Sequence, residues 1–120
     1  MSKWKPISLA ELECLLLTSG WEEELSNFWK LIKIDPVKWI EEAYGNEGNG
    51  FWAVAVCGTN VVWYNDIEDG FNISSYHTFG IIEEYYCNQD SLRVTVQNLF
   101  QAIASGKLSA TKRGLSEPLA

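Results

Sequence analysis

Apolar residues run almost unbroken from Phe51 to Cys57 and resume at Val61-Val62-Trp63-Tyr64. Valine, phenylalanine and tryptophan suit a pleated, packed surface. Seven residues is an ordinary strand length and short for a helix. Gly58-Thr59-Asn60 lies between the two runs, and glycine and asparagine tolerate the positive φ of a tight reversal. The pattern predicts a β-hairpin. A further aromatic run, Ile81-Ile82-Glu83-Glu84-Tyr85-Tyr86-Cys87, predicts a third strand. Phe71 and Ile73 alternate with Asn72 and Ser74, which allows a short fourth one.

Helical spacing appears on both sides of these runs. Ser8 and Glu11 have the positions of a capping box, and Ile7 and Leu12 those of a hydrophobic staple. Leu9, Leu12, Leu15 and Leu16 then face inward, with Gly20 as the stop. Ser19 and Glu22 suggest a second box. It opens a helix with Glu22, Glu23 and Glu24 in its first turn and an apolar face of Leu25, Phe28, Trp29 and Ile32. Asp35-Pro36 reads as cap and first residue of a third helix, with Val37, Ile40 and Tyr44 on one face. Asp90 reads as the cap of a last helix, whose stripe is Leu92, Val96, Leu99, Phe100 and Ile103 and whose end is Gly106. The expected fold is α+β: a short antiparallel β-sheet of three or four strands, two or three N-terminal helices and one C-terminal helix. The 120-residue length suits one domain. Residues 1–106 are expected to form it, with 107–120 a flexible tail.

Composition narrows the class. The 47% apolar content suffices for a core, and no apolar stretch has the length of a membrane span. The first residues lack a signal-peptide pattern, so a cytoplasmic location is expected. Three cysteines do not make a disulfide scaffold. A Cys57–Cys87 bridge is geometrically conceivable, but reduced, buried thiols are the plainer expectation. Asn72-Ile73-Ser74 matches a glycosylation acceptor, which matters only in a secreted chain.

Net charge is −7. Residues 1–106 hold fifteen acids and six bases, a net −9, and the remainder carries three bases and one acid, a net +2. That sign disfavours nucleic acid and anionic membranes as partners and permits a basic protein. Solubility alone is a sufficient reason for such a charge.

The chemical motifs are sparse. The glycines between Gly45 and Gly50 follow a helix and lack the lysine and serine or threonine of a phosphate loop. Asn65, Asp66, Glu68 and Asp69 offer oxygens to a hard cation. A calcium-hand register fails, however: it puts Ile67 at the third position from Asn65, or Phe71 at the glycine position from Asp66. A solvated acidic turn is the plainer reading of the cluster, with protein recognition next. His77 is the sole histidine. With Glu83 and Glu84 it supplies the residue types of a carboxylate/histidine pocket, for a small-molecule site or a small hydrolase. No nucleophile elbow or zinc-ligand spacing accompanies it. No catalytic residue, cofactor or metal is assigned.

Six tryptophans are a heavy load for one small core. Trp63-Tyr64 and Tyr85-Tyr86 each point to opposite faces of their strand. If one member of each pair stays outside, an aromatic strip bordered by Asp66, Glu68 and Asp69 forms an interface with an acidic rim. Packing of both sheet faces is the structural alternative. The functional expectation is therefore a non-catalytic, acidic protein-interaction module, an inhibitor or neutralising partner of a basic protein. Its candidate contacts are Trp63, Tyr64, Asp66, Glu68, Asp69, Tyr85 and Tyr86. The alternative is the His77, Glu83, Glu84 pocket, and a symmetric homo-oligomer is a third arrangement.

Overall fold

The computed structural model describes residues 4–45 and 49–106. The expected tail, 107–120, lies outside them. The described chain is an α+β domain with a four-stranded antiparallel sheet, two helices before it and one after it.

Helix α1 spans Leu9–Leu15. Its capping box forms: Ser8 Oγ accepts from the Glu11 amide at 3.1 Å, and Glu11 Oε1 accepts from the Ser8 amide at 3.0 Å. Two of the orphan amides at this end are thereby satisfied. Only Leu12 is buried; Leu9 and Leu15 remain exposed, contrary to the expected four-leucine face. Leu16, the C-cap residue, is half-buried and packs against the core.

Helix α2 spans Glu23–Ile32 and buries Leu25, Trp29 and Ile32, one residue per turn on one side. Its N-cap is Glu22, without a side-chain cap bond, so the Ser19–Glu22 box does not form. The Glu22 carboxylate is committed elsewhere: it accepts two bonds from Arg93 NH2, at 2.6 and 2.7 Å.

The expected third helix is absent, and Lys33–Trp39 is strand β1. The chain leaves α2 in an extended conformation at Lys33 and pairs antiparallel with β2, Phe51–Cys57. Pairing buries Trp39 to 1% exposure. The face that read as helical, Val37, Ile40 and Tyr44, is exposed throughout. Pro36 is tolerated because β1 is an edge strand, and the register shifts between Lys33 and Val37 around it.

Strand β3, Asn60–Asn65, returns from β2 through Gly58-Thr59, with Gly58 at φ +62°. Strand β4, Gly70–Ser75, follows a four-residue loop in which Asp69 has φ +61°. The order is β1-β2-β3-β4, every neighbour in space being a neighbour in sequence. Helix α3, Leu92–Ser105, is capped by Ser91 rather than Asp90: Ser91 Oγ accepts from the Val94 amide at 3.2 Å. The left-handed Gly106 ends it.

Both faces of the sheet are covered, which is why β2 and β3 are apolar at nearly every position. On one face Val54, Val62, Tyr64 and Phe71 pack against Leu12, Trp29, Val96 and Leu99 of the three helices. On the other lie Trp39, Phe51, Ala53, Val61 and Trp63. Their cover is an irregular strap, residues 76–90, which contributes Tyr76, Ile82 and Tyr85. The strand expected at Ile81–Cys87 is part of this strap and makes only an isolated bridge, Ile40 with Ile81. Ile82 and Tyr85 both turn to the sheet three residues apart, which a period of two does not permit.

The strap is held by side chains. Ser74 Oγ accepts from Trp63 Nε1 at 3.0 Å and donates to the Glu84 carbonyl at 2.6 Å. Asn65 Nδ2 donates to Tyr85 Oη and to the Tyr86 carbonyl. Asn72 Oδ1 accepts from the Asn88 amide at 2.9 Å. Asn65, Asn72 and Ser74 are all buried, and these bonds offset the cost of burying them. Asn72, at 1% exposure, offers no surface for a glycan. Gly70 lies so close to the strap that a Cβ there would stand 2.2 Å from the Asn88 carbonyl oxygen.

Candidate functional site

The loop between β3 and β4 carries Asp66, Glu68 and Asp69, and hydrogen bonding gives Asn65, Asp66 and Asp69 separate tasks. Asn65 Oδ1 accepts from the amides of Ile67 and Glu68 at 3.0 and 3.1 Å, which folds the turn. Asp66 turns to the chain entering α1, and its Oδ2 accepts from the Ile7 amide at 2.7 Å. Asp69 Oδ1 receives the Tyr64 hydroxyl at 3.4 Å. Among the described residues no group of three or more histidines, cysteines or acids is arranged to hold a metal ion.

This loop and α1 are the walls of an open groove of about 410 Å³, lined by Lys5, Ile7, Glu11, Tyr64, Asp66 and Asp69. A second hollow of about 310 Å³ shares Leu15, Tyr64 and Asp69 with it and continues to Asp90 at the start of α3. Four acids therefore line these two neighbouring hollows: Glu11 and Asp66 the first, Asp90 the second, and Asp69 both. Lys5 is the basic residue beside them. Burial pushes the Asp66 carboxyl up, against the Ile7 amide and Lys38, which favour its charged form. The Ser8 amide and hydroxyl hold Glu11 below the usual range. Burial and the neighbouring Asp69 raise Tyr64 to about 12, so its hydroxyl keeps its proton and donates. Such a surface offers acceptors to a cationic or donor-rich group. It holds no activated nucleophile.

The aromatic candidates divide. Trp63 and Tyr64 do point to opposite faces, but both faces are covered: Trp63 is fully buried and Tyr64 is 7% exposed. The strip of exposed aromatics therefore does not run along β3. Tyr85 packs on Phe51 and Trp63, with Tyr44 stacked beyond it at 4.3 Å. Tyr86 is half-buried in the strap. None of the six tryptophans is exposed. The exposed apolar residues are instead Leu17, Leu31, Ile40, Tyr44 and Phe79 among others, scattered over α1, α2 and the strap side.

His77 does meet Glu83, with Nδ1 2.6 Å from Oε1, and this contact raises the histidine pKa. The His77 side chain is 87% exposed, however, so the pair is a surface ion pair rather than the floor of a pocket. Glu84 is turned away to the Ser75 amide at 2.8 Å. Asp66 and Asp69 lie with α1, not with this pair.

The cysteines are free, so the Cys57–Cys87 bridge does not form. Cys14 and Cys87 are exposed and Cys57 half-buried, unlike the buried thiols expected. Burial raises the Cys57 thiol pKa, which leaves it a weak nucleophile. No helix among the described residues is long and apolar enough to cross a membrane.

Sequence reasoning missed Glu11, Leu15 and Asp90 as parts of the groove. In the sequence Glu11 and Asp90 read as capping residues, and nothing local marks residues so far apart as neighbours. The chain matches no known protein family, no curated protein and no solved structure.

Proposed function

We propose that this protein is a protein-interaction module whose acidic groove receives a basic segment of a partner protein. One observation carries the reading: Glu11, Asp66, Asp69 and Asp90 line two neighbouring hollows that share the partly apolar wall of Leu15 and Tyr64. Lysine and arginine bury their stems on such a wall and place their charge among carboxylates. The body charge of −9 adds long-range attraction, which raises association rates more than final affinity. Occlusion of a functional basic surface by this module would neutralise the partner, as an inhibitor does.

Asp69→Asn with Asp90→Asn tests the reading. Asparagine tolerates the left-handed backbone at 69, and Ser91, not Asp90, caps α3. A basic protein isolated on the parent should bind the double variant at least ten-fold more weakly, in a titration calorimeter at low salt. Affinity for the parent should fall as salt rises. Equal affinities for parent and variant would remove the groove from the proposal. The His77–Glu83 pair carries no second reading, since nothing encloses it.

A further inference from the structure

Of the asparagines in the chain, only Asn49 precedes a glycine. That pairing has a chemistry of its own. The backbone nitrogen after an asparagine can attack the side-chain carbonyl carbon, Cγ, and close a cyclic succinimide. A Cβ on the attacking residue obstructs the approach, and glycine has none. Asn49 is exposed, stands in the left-handed region at φ +63°, and makes no hydrogen bond to another described residue.

Elsewhere the fold closes this route. Asn65 and Asn72 are buried with their side-chain amides engaged. Asn27 and Asn98 lie within α2 and α3, where the helix holds the following amide. Asp69-Gly70 is the related acid pair. There Gly70 is paired with Asn65 in the β3–β4 ladder and pressed against the Asn88 carbonyl. At Asn49 the restraint is one bond, from Gly50 N–H to the Gly45 carbonyl at 2.8 Å.

We propose that Asn49 is a site of self-modification, which converts it to aspartate and isoaspartate. The Gly50 nitrogen bonds to Asn49 Cγ as the Cγ–Nδ2 bond breaks, and the Gly50 amide proton leaves with Nδ2 as ammonia. Water then opens the ring. Addition at Cγ gives aspartate on an unchanged backbone. Addition at the Asn49 backbone carbonyl gives isoaspartate, whose main chain runs through the side chain and is one carbon longer. Gly50 has no room to absorb that carbon, since a Cβ on it would stand 2.1 Å from the Trp39 carbonyl oxygen. Phe51, next along, forms the rung with Trp39 that ends the β1–β2 ladder. Isoaspartate therefore loosens Trp39 and the edge strand. Aspartate adds only a charge, near Lys38, whose Nζ lies 3.4 Å from the Gly50 carbonyl. This inference is independent of the acidic groove.

The test is ageing of the full chain at pH 8, followed by peptide mapping with fragmentation that separates aspartate from isoaspartate. Both products should accumulate at Asn49 while the other asparagines persist. The bond to Gly45 should make the folded chain about five-fold slower than a synthetic peptide of residues 45–54. Conversion should slow at pH 6, where the Gly50 nitrogen loses its proton less often. Asn49→Gly suits the left-handed backbone and should give no product at this position. In the isolated isoaspartate form, hydrogen exchange should accelerate about ten-fold at residues 38–40 and 51–53 and stay unchanged in β4. Fresh Asn49→Asp should exchange like the parent. A folded chain still unconverted after about a hundred half-lives of the peptide overturns the proposal. Aspartate without isoaspartate overturns the ring, and an isoaspartate form with parental exchange overturns the effect on Trp39.

Discussion

The two faces of one sheet are covered by different means. The helical face is closed by α1, α2 and α3, elements whose backbone groups are satisfied within themselves. The opposite face is closed by residues 76–90, an irregular strap without a ladder or helix of its own. A strap brings unpaired amides and carbonyls to a buried surface, so the sheet beneath must answer them. That is the work of Asn65, Asn72 and Ser74, three buried polar side chains bonded to strap residues. The lesson is that a helix needs only an apolar surface below it, whereas irregular chain needs an apolar surface studded with fixed hydrogen-bonding groups.

Mutations can test this contrast. The largest effect is expected on the strap face at Trp63→Ala. It removes a fully buried indole and the bond that the Ser74 hydroxyl accepts, and urea unfolding should show a loss of about 3–5 kcal/mol. A loss below about 1 kcal/mol would mean that the strap collapses freely onto the sheet. Asn65→Ala should cost about 2–3 kcal/mol, because it frees the amides of Ile67 and Glu68 and the strap contacts together. Its signature is regional: hydrogen exchange should accelerate through residues 76–90 while α3 keeps its protection. Equal acceleration in α3 would show that the two covers unfold as one unit. On the helical side Ser8→Ala should cost only about 1 kcal/mol, since one cap is lost and no buried group is stranded.

The smallest effects are pH-dependent: both groups have raised pKa values and make the parent less stable as pH rises, but the two substitutions act in opposite directions. Asp66 lies at the α1 side with its pKa raised, chiefly by burial. Its ionisation therefore opposes folding, and the penalty grows as pH rises from the unfolded to the folded pKa. Asp66→Asn should be more stable than the parent at pH 7 and lose that advantage at pH 3. A destabilised variant at pH 7 would mean that the charge, not merely the oxygen, holds Ile7. His77, in the strap, has its pKa raised by Glu83. Its contribution is complete below the unfolded pKa and disappears as pH rises through the folded one. Parent and His77→Gln should thus differ at pH 5.5 and converge by pH 9, in strap exchange rates. A difference that persists at pH 9 would trace to packing.

Sequence legibility followed the same division. The hairpin of β2 and β3 was visible because both faces are apolar, and α3 because its stripe is long. The α1 cap was visible because a capping box is local. Strand β1 was not: Asp35-Pro36 fits a helix start as well as an edge strand, and only the pairing that buries Trp39 decides between them. The strap was misread as a strand because Tyr85-Tyr86 look like sheet residues, while its anchors, Asn65 and Asn72, look like loop residues until their burial is known. Of the groove, Asp66 and Asp69 were legible as an acidic turn. Glu11 and Asp90 join them only through the fold.

The plain β1-β2-β3-β4 order has a consequence for how the chain is made. Each strand after β1, as it leaves the ribosome, finds its partner already synthesised immediately before it. Short loop closures of this kind are fast. The strap is different, for it bonds to β3 and β4 and bridges to Ile40 just beyond β1, so its seat is complete only when the whole meander exists. The tryptophan-rich surface around Trp39 and Trp63 must wait uncovered until then. The helical face waits longer still, because α3 is made after the strap, so during synthesis a chaperone would meet both faces of the sheet.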